Sequence, residues 1–237
     1  MENTEPAAAR EVGGYGGRQL DLVALRALAH PLRVQILDTL STYGSFTSSG
    51  LAERLGESSG ATSYHLRQLE KHGFVREVQG KGTARERWWE RTPGGINVGS
   101  EDASTSPAGR SAATMIFRQM RYNQERMLTE FVESGPDTLS EDWLDGSVIS
   151  TMNTRLTAGQ LHEFVAEVMK LADKYVVPFK NQHVPNSRPV LISFHAFPVV
   201  DGEVVPDNKP IHSPWFSAPV GPAKMSVVDH NFEPGKG

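Results

Sequence analysis

Between Thr47 and Arg91 the spacing of apolar residues changes from helical to alternating, and that change outlines a compact unit. In Thr47–Gly56 the residues Leu51, Ala52 and Leu55 fall on one face of a short helix. The next segment, Ser58–Gly73, opens on Ser capping residues and closes on Gly, so both ends of a second helix are signalled locally. At about 100° per residue, Thr62, Leu66 and Leu69 form its apolar stripe with His65 at the edge. Ser59, Ser63, Tyr64, Arg67 and Lys71 gather on another side. Beyond Gly73, Phe74–Val78 and Arg85–Arg91 have strand character, joined by the reversal Gln79-Gly80-Lys81-Gly82-Thr83.

Two helices, a tight turn and a basic hairpin predict a winged helix-turn-helix. The polar side of Ser59–His72 carries donors for base edges and phosphates, and its N-terminus adds backbone N–H groups. In isolation such a face reads as merely solvated; the flanking hairpin turns the balance toward DNA. Lys81, Arg85 and Arg87 lie at or beyond the hairpin tip, where they grip phosphates without reading sequence. Adjacent Trp88 and Trp89 point to opposite faces of a strand, one closing the core and one covering the junction to the next helix. Base stacking by one of them is the alternative.

Four runs in this order, ALAHPLRVQILDTL (Ala27–Leu40), LAERLG, SYHLRQLEKHGFV (Ser63–Val75) and the basic hairpin, resemble the ArsR type of winged helix-turn-helix transcriptional regulator of bacteria. The resemblance covers about a third of the chain. It implies that Ser63, Tyr64 and Arg67 face DNA, that His65 sits at the phosphate boundary or supports the helix, and that Leu66 and Leu69 are core. It also places Pro31 at the first position of a helix, where its missing N–H does no harm. Metal-responsive relatives use thiolates or paired His and carboxylate ligands. This chain has no Cys, and its eight His show no pair at helical spacing, so no metal site and no cofactor are expected. His162 and His195 are the one pair that tertiary structure has to bring together for a metal.

The net charge of −4 looks wrong for a DNA binder until it is divided. Of 24 Lys and Arg and 28 Asp and Glu, the segment 18–95 holds 11 and 8, net +3, leaving 13 and 20, net −7, elsewhere. The positive field is confined to the reader. No apolar run approaches the roughly 20 residues of a membrane span and no charged-then-apolar signal opens the chain. The expectation is a cytoplasmic protein without membrane contact.

The expected fold class is mainly α with a small β component: a winged helix-turn-helix head followed by a helical or α+β C-terminal dimerisation or effector region. The expected divisions are a flexible arm at 1–17, the head at 18–95, a linker at 96–110, the second domain at 111–200 and a Pro-rich tail at 201–237, which has six Pro. Gln19–Ala29 reads as a helix that completes the head or joins a dimer seam. Ser111–Ser134 is the longest helical candidate, either pairing between subunits or serving as a core helix. Thr157 and Gln160 form a capping box for an amphipathic helix running to about Val176. Asp145–Leu156 and Arg188–Val200 read as strands on either side of it.

No Gly-rich phosphate loop, nucleophile elbow or paired base accompanies the surface carboxylates, so no catalytic residue is assigned. The functional expectation is a homodimeric transcriptional repressor binding an inverted repeat in double-stranded DNA, with a small-molecule effector as a further partner. The alternatives are a ligand-responsive C-terminal domain as the main function, or a winged helix used for protein contacts.

Overall fold

The computed structural model describes residues 17–82, 86–98, 106–179, 182 and 184–205. The expected N-terminal arm up to residue 16, Arg85 at the wing tip and the tail from 206 onward lie outside the described residues. The chain divides into two compact units, the first ending at Met127 but including Leu171–Ser193, the second formed by Leu128–Lys170 and the chain from Phe194 on.

The first unit begins with strand β1 (Gly17–Gln19) and helix α1 (Leu22–Leu28), whose N-cap Asp21 accepts from Ala24 N–H at 2.7 Å. Helix α2 (Pro31–Tyr43) carries Pro31 at its first position, where the ring costs no intrahelical bond. Strand β2 (Phe46–Thr47) leads into α3 (Ser48–Leu55), which Thr47 caps and Gly56 ends in the left-handed conformation. Helix α4 (Ser59–Lys71) is capped by Ser58. Strands β3 (Val75–Glu77) and β4 (Trp88–Arg91) pair antiparallel, and β2 adds to the other edge of β4, giving the order β2-β4-β3. Phe46 faces Trp89 and Arg76 faces Glu90, an opposed pair joined by a 2.7 Å ion pair.

The core is built where the apolar stripes converge. Leu25 of α1, Ile36 of α2, Leu51 of α3, and Leu66 and Leu69 of α4 are all fully buried, together with Phe74, Val75 and Trp89. Each such side chain contributes about 1.5–3 kcal/mol of burial. Helix α1 therefore completes the head. Strand β5 (Gly95–Asn97), across the boundary read between head and linker, pairs parallel with β1, an association that no local pattern announces.

Helix α5 (Pro107–Thr138) is longer than the periodicity suggested. Its beginning belongs to the head core, since Ala112 and Ile116 are buried there and Met120 packs against it. The helix runs past Gly135 and Pro136, where the Thr138 hydroxyl donates to the Ser134 carbonyl at 2.7 Å.

The second unit contains the end of α5, the short helix α6 (Glu141–Asp145) and the start of α7 (Ala158–Tyr175). The capping box of α7 forms as read: Thr157 N–H donates to Gln160 Oε1 at 2.9 Å and Gln160 N–H to Thr157 Oγ1 at 3.2 Å. The strands expected at 145–156 and 188–200 do not form. Residues 146–157 and 187–199 have no regular structure, so the C-terminal region is helical rather than α+β. Alternation fails to make a strand there because neither segment finds a ladder partner, and a lone strand leaves its backbone groups unpaired. No side chain among the described residues of this unit is buried; Phe164 remains 44% exposed although Phe194 approaches it at 5.9 Å.

Candidate nucleic-acid interface

Helix α4 is fixed from behind by a short polar network as well as by its leucines. Thr62 is fully buried, and its hydroxyl lies 2.9 Å from the Ser48 carbonyl and 2.9 Å from Ser48 Oγ. Ser48 Oγ also lies 2.7 Å from Ser63 Oγ. The first turn of α3 is thereby stitched to the first turns of α4, which sets the angle between the two helices. The sequence does not single out Ser48 and Thr62 as a pair; the signal is faint, a Thr-Ser-Ser run that caps and opens α3.

The outward side of α4 presents Ser59, Tyr64, Arg67 and Lys71, all exposed, with Tyr64 at 50%. Arg67 Nε donates to the Ser63 carbonyl one turn back at 3.2 Å, which lays the guanidinium along the helix surface. Ser63 is half-buried because Ser48 engages its hydroxyl.

His65 is placed differently from the rest of the proposed set. It is only 8% exposed, and its Nδ1 accepts from Arg33 Nε at 3.3 Å. One position after Tyr64, it lies around the helix on the packing side of α4. Burial first, then His30 and Arg33, hold its pKa below the ordinary 6.5.

The wing supplies the cations. Gly80 and Gly82 adopt positive φ at the tip, and Lys81 between them folds back so that Nζ lies 4.0 Å from the Trp88 ring centre and 2.6 Å from Ser45 Oγ. Trp89 is buried on the opposite face of β4, as the two-sided reading of the pair requires. Arg87 is engaged by Glu77 at 2.7 Å and Glu70 at 3.3 Å and lies over the Trp89 ring at 4.5 Å. The hydrogen bond that Arg87 donates to Glu77 is the main reason its pKa is raised. Exposed ion pairs of this kind are worth about 0–1 kcal/mol each, so phosphate can compete for the guanidinium.

Between these parts lies an open cleft of about 540 Å³ whose walls include Ser48, Ser59, Ser63, Arg67, Arg87 and Trp89. The structure thus brings Ser59, Ser63, Arg67 and Arg87 to one concavity. Among the described residues no grouping of three or more His, Asp or Glu has metal-binding geometry, and no helix is long and apolar enough to cross a membrane.

Residues 28–78 match the model of a family described as a helix-turn-helix domain. No curated protein matches the chain. Among solved structures it is similar to HlyU from Vibrio cholerae, with 28% identity and a TM-score of 0.27 over 30% of this chain and 74% of that one. NolR from Sinorhizobium fredii gives 28% identity and 0.27 over 30% and 70%. An ArsR family transcriptional regulator gives 22% identity and 0.26 over 44% and 90%. With scores this low across the whole chain, the fold rests on the element order and strand register of the head and on the match at 28–78.

Proposed function

We propose that this chain, whose winged helix-turn-helix head resembles the ArsR type, is a sequence-specific DNA-binding transcriptional regulator that acts as a homodimer. The observation that carries the reading is the exposed polar face of α4, with Tyr64, Arg67 and Lys71 clear of the core while the opposite face is sealed by Thr62, Leu66 and Leu69. A helix held so firmly on one side and so open on the other is suited to a major groove. Arg67, Tyr64, Ser59 and Ser63 read base edges; Lys71 and the wing cations Lys81, Arg85 and Arg87 hold phosphates. His65 holds the helix in place.

Two copies related by a two-fold axis present two reading helices about 34–36 Å apart, matching an inverted repeat. Phe117, Leu128 and Val132 of α5, each at least 44% exposed, support a role for that helix between subunits. Occupation of a promoter makes the default action repression. A small-molecule effector that prefers one spacing of the two readers supplies control, and the uncovered apolar stripe of α7, with Leu171 56% exposed, supports a role for the C-terminal region in it.

Selection of binding sites from random duplex by the full-length protein tests the proposal. The expected product is an inverted repeat with half-sites about 10–10.5 base pairs apart centre to centre, or a multiple of that. Equal retention of selected and random duplex at every salt concentration would reject it.

A further inference from the structure

Two histidines of the head meet beneath the reading helix, and their hydrogen bonds define a protonation state. His30 caps α2, its Nδ1 accepting from Leu32 N–H at 3.2 Å. His65 Nδ1 accepts from Arg33 Nε–H at 3.3 Å. Both donors are obligatory: a backbone amide and a guanidinium have no acceptor to offer in exchange. A ring nitrogen that accepts carries no proton, so both imidazoles are neutral with hydrogen on Nε2. Their ring centres are 4.3 Å apart.

The same guanidinium donates through Nη1 to the Ala27 carbonyl, so Arg33 ties the end of α1 to α4 through His65. On the outer side the Tyr64 ring meets the His65 ring edge-on at 5.1 Å, linking the buried imidazole to the exposed face of α4. The charged and titratable groups facing the pair are Arg33 from α2, Glu57 from the turn between α3 and α4, and Tyr64 from α4 itself; α1 offers the Ala27 carbonyl. Only Glu57 favours a proton here, acting on His30.

We propose that the His30–His65 pair is a proton switch on the reading helix: neutral, it holds α4 for sequence readout, and a proton taken up at either Nδ1 expels the facing donor and loosens that hold. This inference rests on the DNA-reading function and adds its regulation. The proton comes from solvent; Arg33 or the Leu32 amide loses its acceptor, and a new cation is left beside a guanidinium and a second imidazole. Burial, with Arg33 acting on His30 and with His30 and Arg33 acting on His65, keeps both rings below the ordinary 6.5, so the switch operates on the acidic side of that value. Added positive charge also strengthens attraction to any phosphate backbone. The switch is therefore read in the ratio of specific to random binding, not in affinity alone.

The test measures that ratio for the full-length protein from pH 8 to pH 5.5 at constant ionic strength, using a selected duplex and a random duplex of equal length. Wild type should lose discrimination on acidification, at up to about tenfold per pH unit for each proton taken up. His30→Asn combined with His65→Gln keeps acceptors for the Leu32 amide and for Arg33 without a titrating ring at either place, so the double variant should discriminate at pH 8 and hold a flat profile. His72→Gln, a change at the head's third histidine, should leave the wild-type slope intact. Parallel profiles for wild type and the double variant, both discriminating at pH 8, overturn the switch while leaving DNA reading standing. Discrimination absent at every pH removes the DNA reading itself, and the switch with it. Nitrogen-15 shifts of the wild-type imidazoles give an independent measurement needing no variant: hydrogen on Nδ1 of His65 at pH 8 overturns the inference.

Discussion

Asn123 on the long helix α5 donates through Nδ2 to Oδ2 of Asp38 in α2, at the place where that helix lies on the head. Gln119 Nε2 in turn donates to Asn123 Oδ1 at 3.0 Å, and Arg91 at the end of β4 donates to Ser41 Oγ at 2.8 Å. Arg91 Nε is buried without a hydrogen-bond partner, so the cluster joins α2, β4 and α5 at some cost in desolvation. Burial raises the Asp38 pKa above 3.8, against the opposing effects of the Asn123 hydrogen bond and of Arg91.

Asn123→Ala removes the donor from a buried carboxyl group and should cost about 1–3 kcal/mol. Urea denaturation at pH 7 measures it, and a change below about 0.5 kcal/mol means that the contact carries no weight.

The raised value at Asp38 fixes a sign. A folded pKa above the unfolded one means that the native state binds the proton more tightly, so this contribution is fully present below 3.8 and is lost as pH rises through the folded value. Wild type minus Asp38→Asn, compared in stability across pH 3 to 7, should therefore become more favourable to wild type on acidification. The opposite slope contradicts the assignment.

Thr62→Val keeps the shape of a fully buried side chain and removes the hydroxyl that pairs with Ser48. The Ser48 carbonyl loses that partner, at about 1–3 kcal/mol. Because the bond sets α3 against α4, operator affinity should fall along with thermal stability. Unchanged affinity in a folded variant assigns the angle to the leucines alone.

Gly82→Ala meets two obstacles at once. Its φ is +94°, and an added Cβ would lie 2.6 Å from the Glu86 carbonyl oxygen and 2.7 Å from the Trp88 ring. Backbone strain of this kind costs about 1–3 kcal/mol, and the wing must shift to relieve it. The expected outcome is weaker binding to all duplexes with little change in preferred sequence, read by titration against selected and random DNA.

Arg67 and Lys81 should separate base readout from phosphate contact. Arg67→Ala is expected to lose about 1–3 kcal/mol and relax preference at one base position. Lys81→Ala should weaken every sequence alike and lower the salt slope by about one unit. Identical behaviour of the two variants on specific and random duplex rules out this division.

The head was legible in the sequence because its signals are local. Pro31, Thr47, Gly56 and Ser58 mark helix ends through the backbone geometry that they allow, and Leu66 and Leu69 declare a buried stripe by spacing alone. The exposure of Tyr64 and Arg67 follows from the same period. Tertiary structure alone decided where α5 begins its work, since Ile116 and Asn123 acquire partners only when distant helices arrive. It placed His65 on the packing side of α4, because a residue at the edge of a stripe is assigned by what packs against it, here His30 and Arg33. It also withheld the strands read at 145–156 and 188–200, because alternation states which face a strand would bury and says nothing of whether a neighbour exists to pair with it.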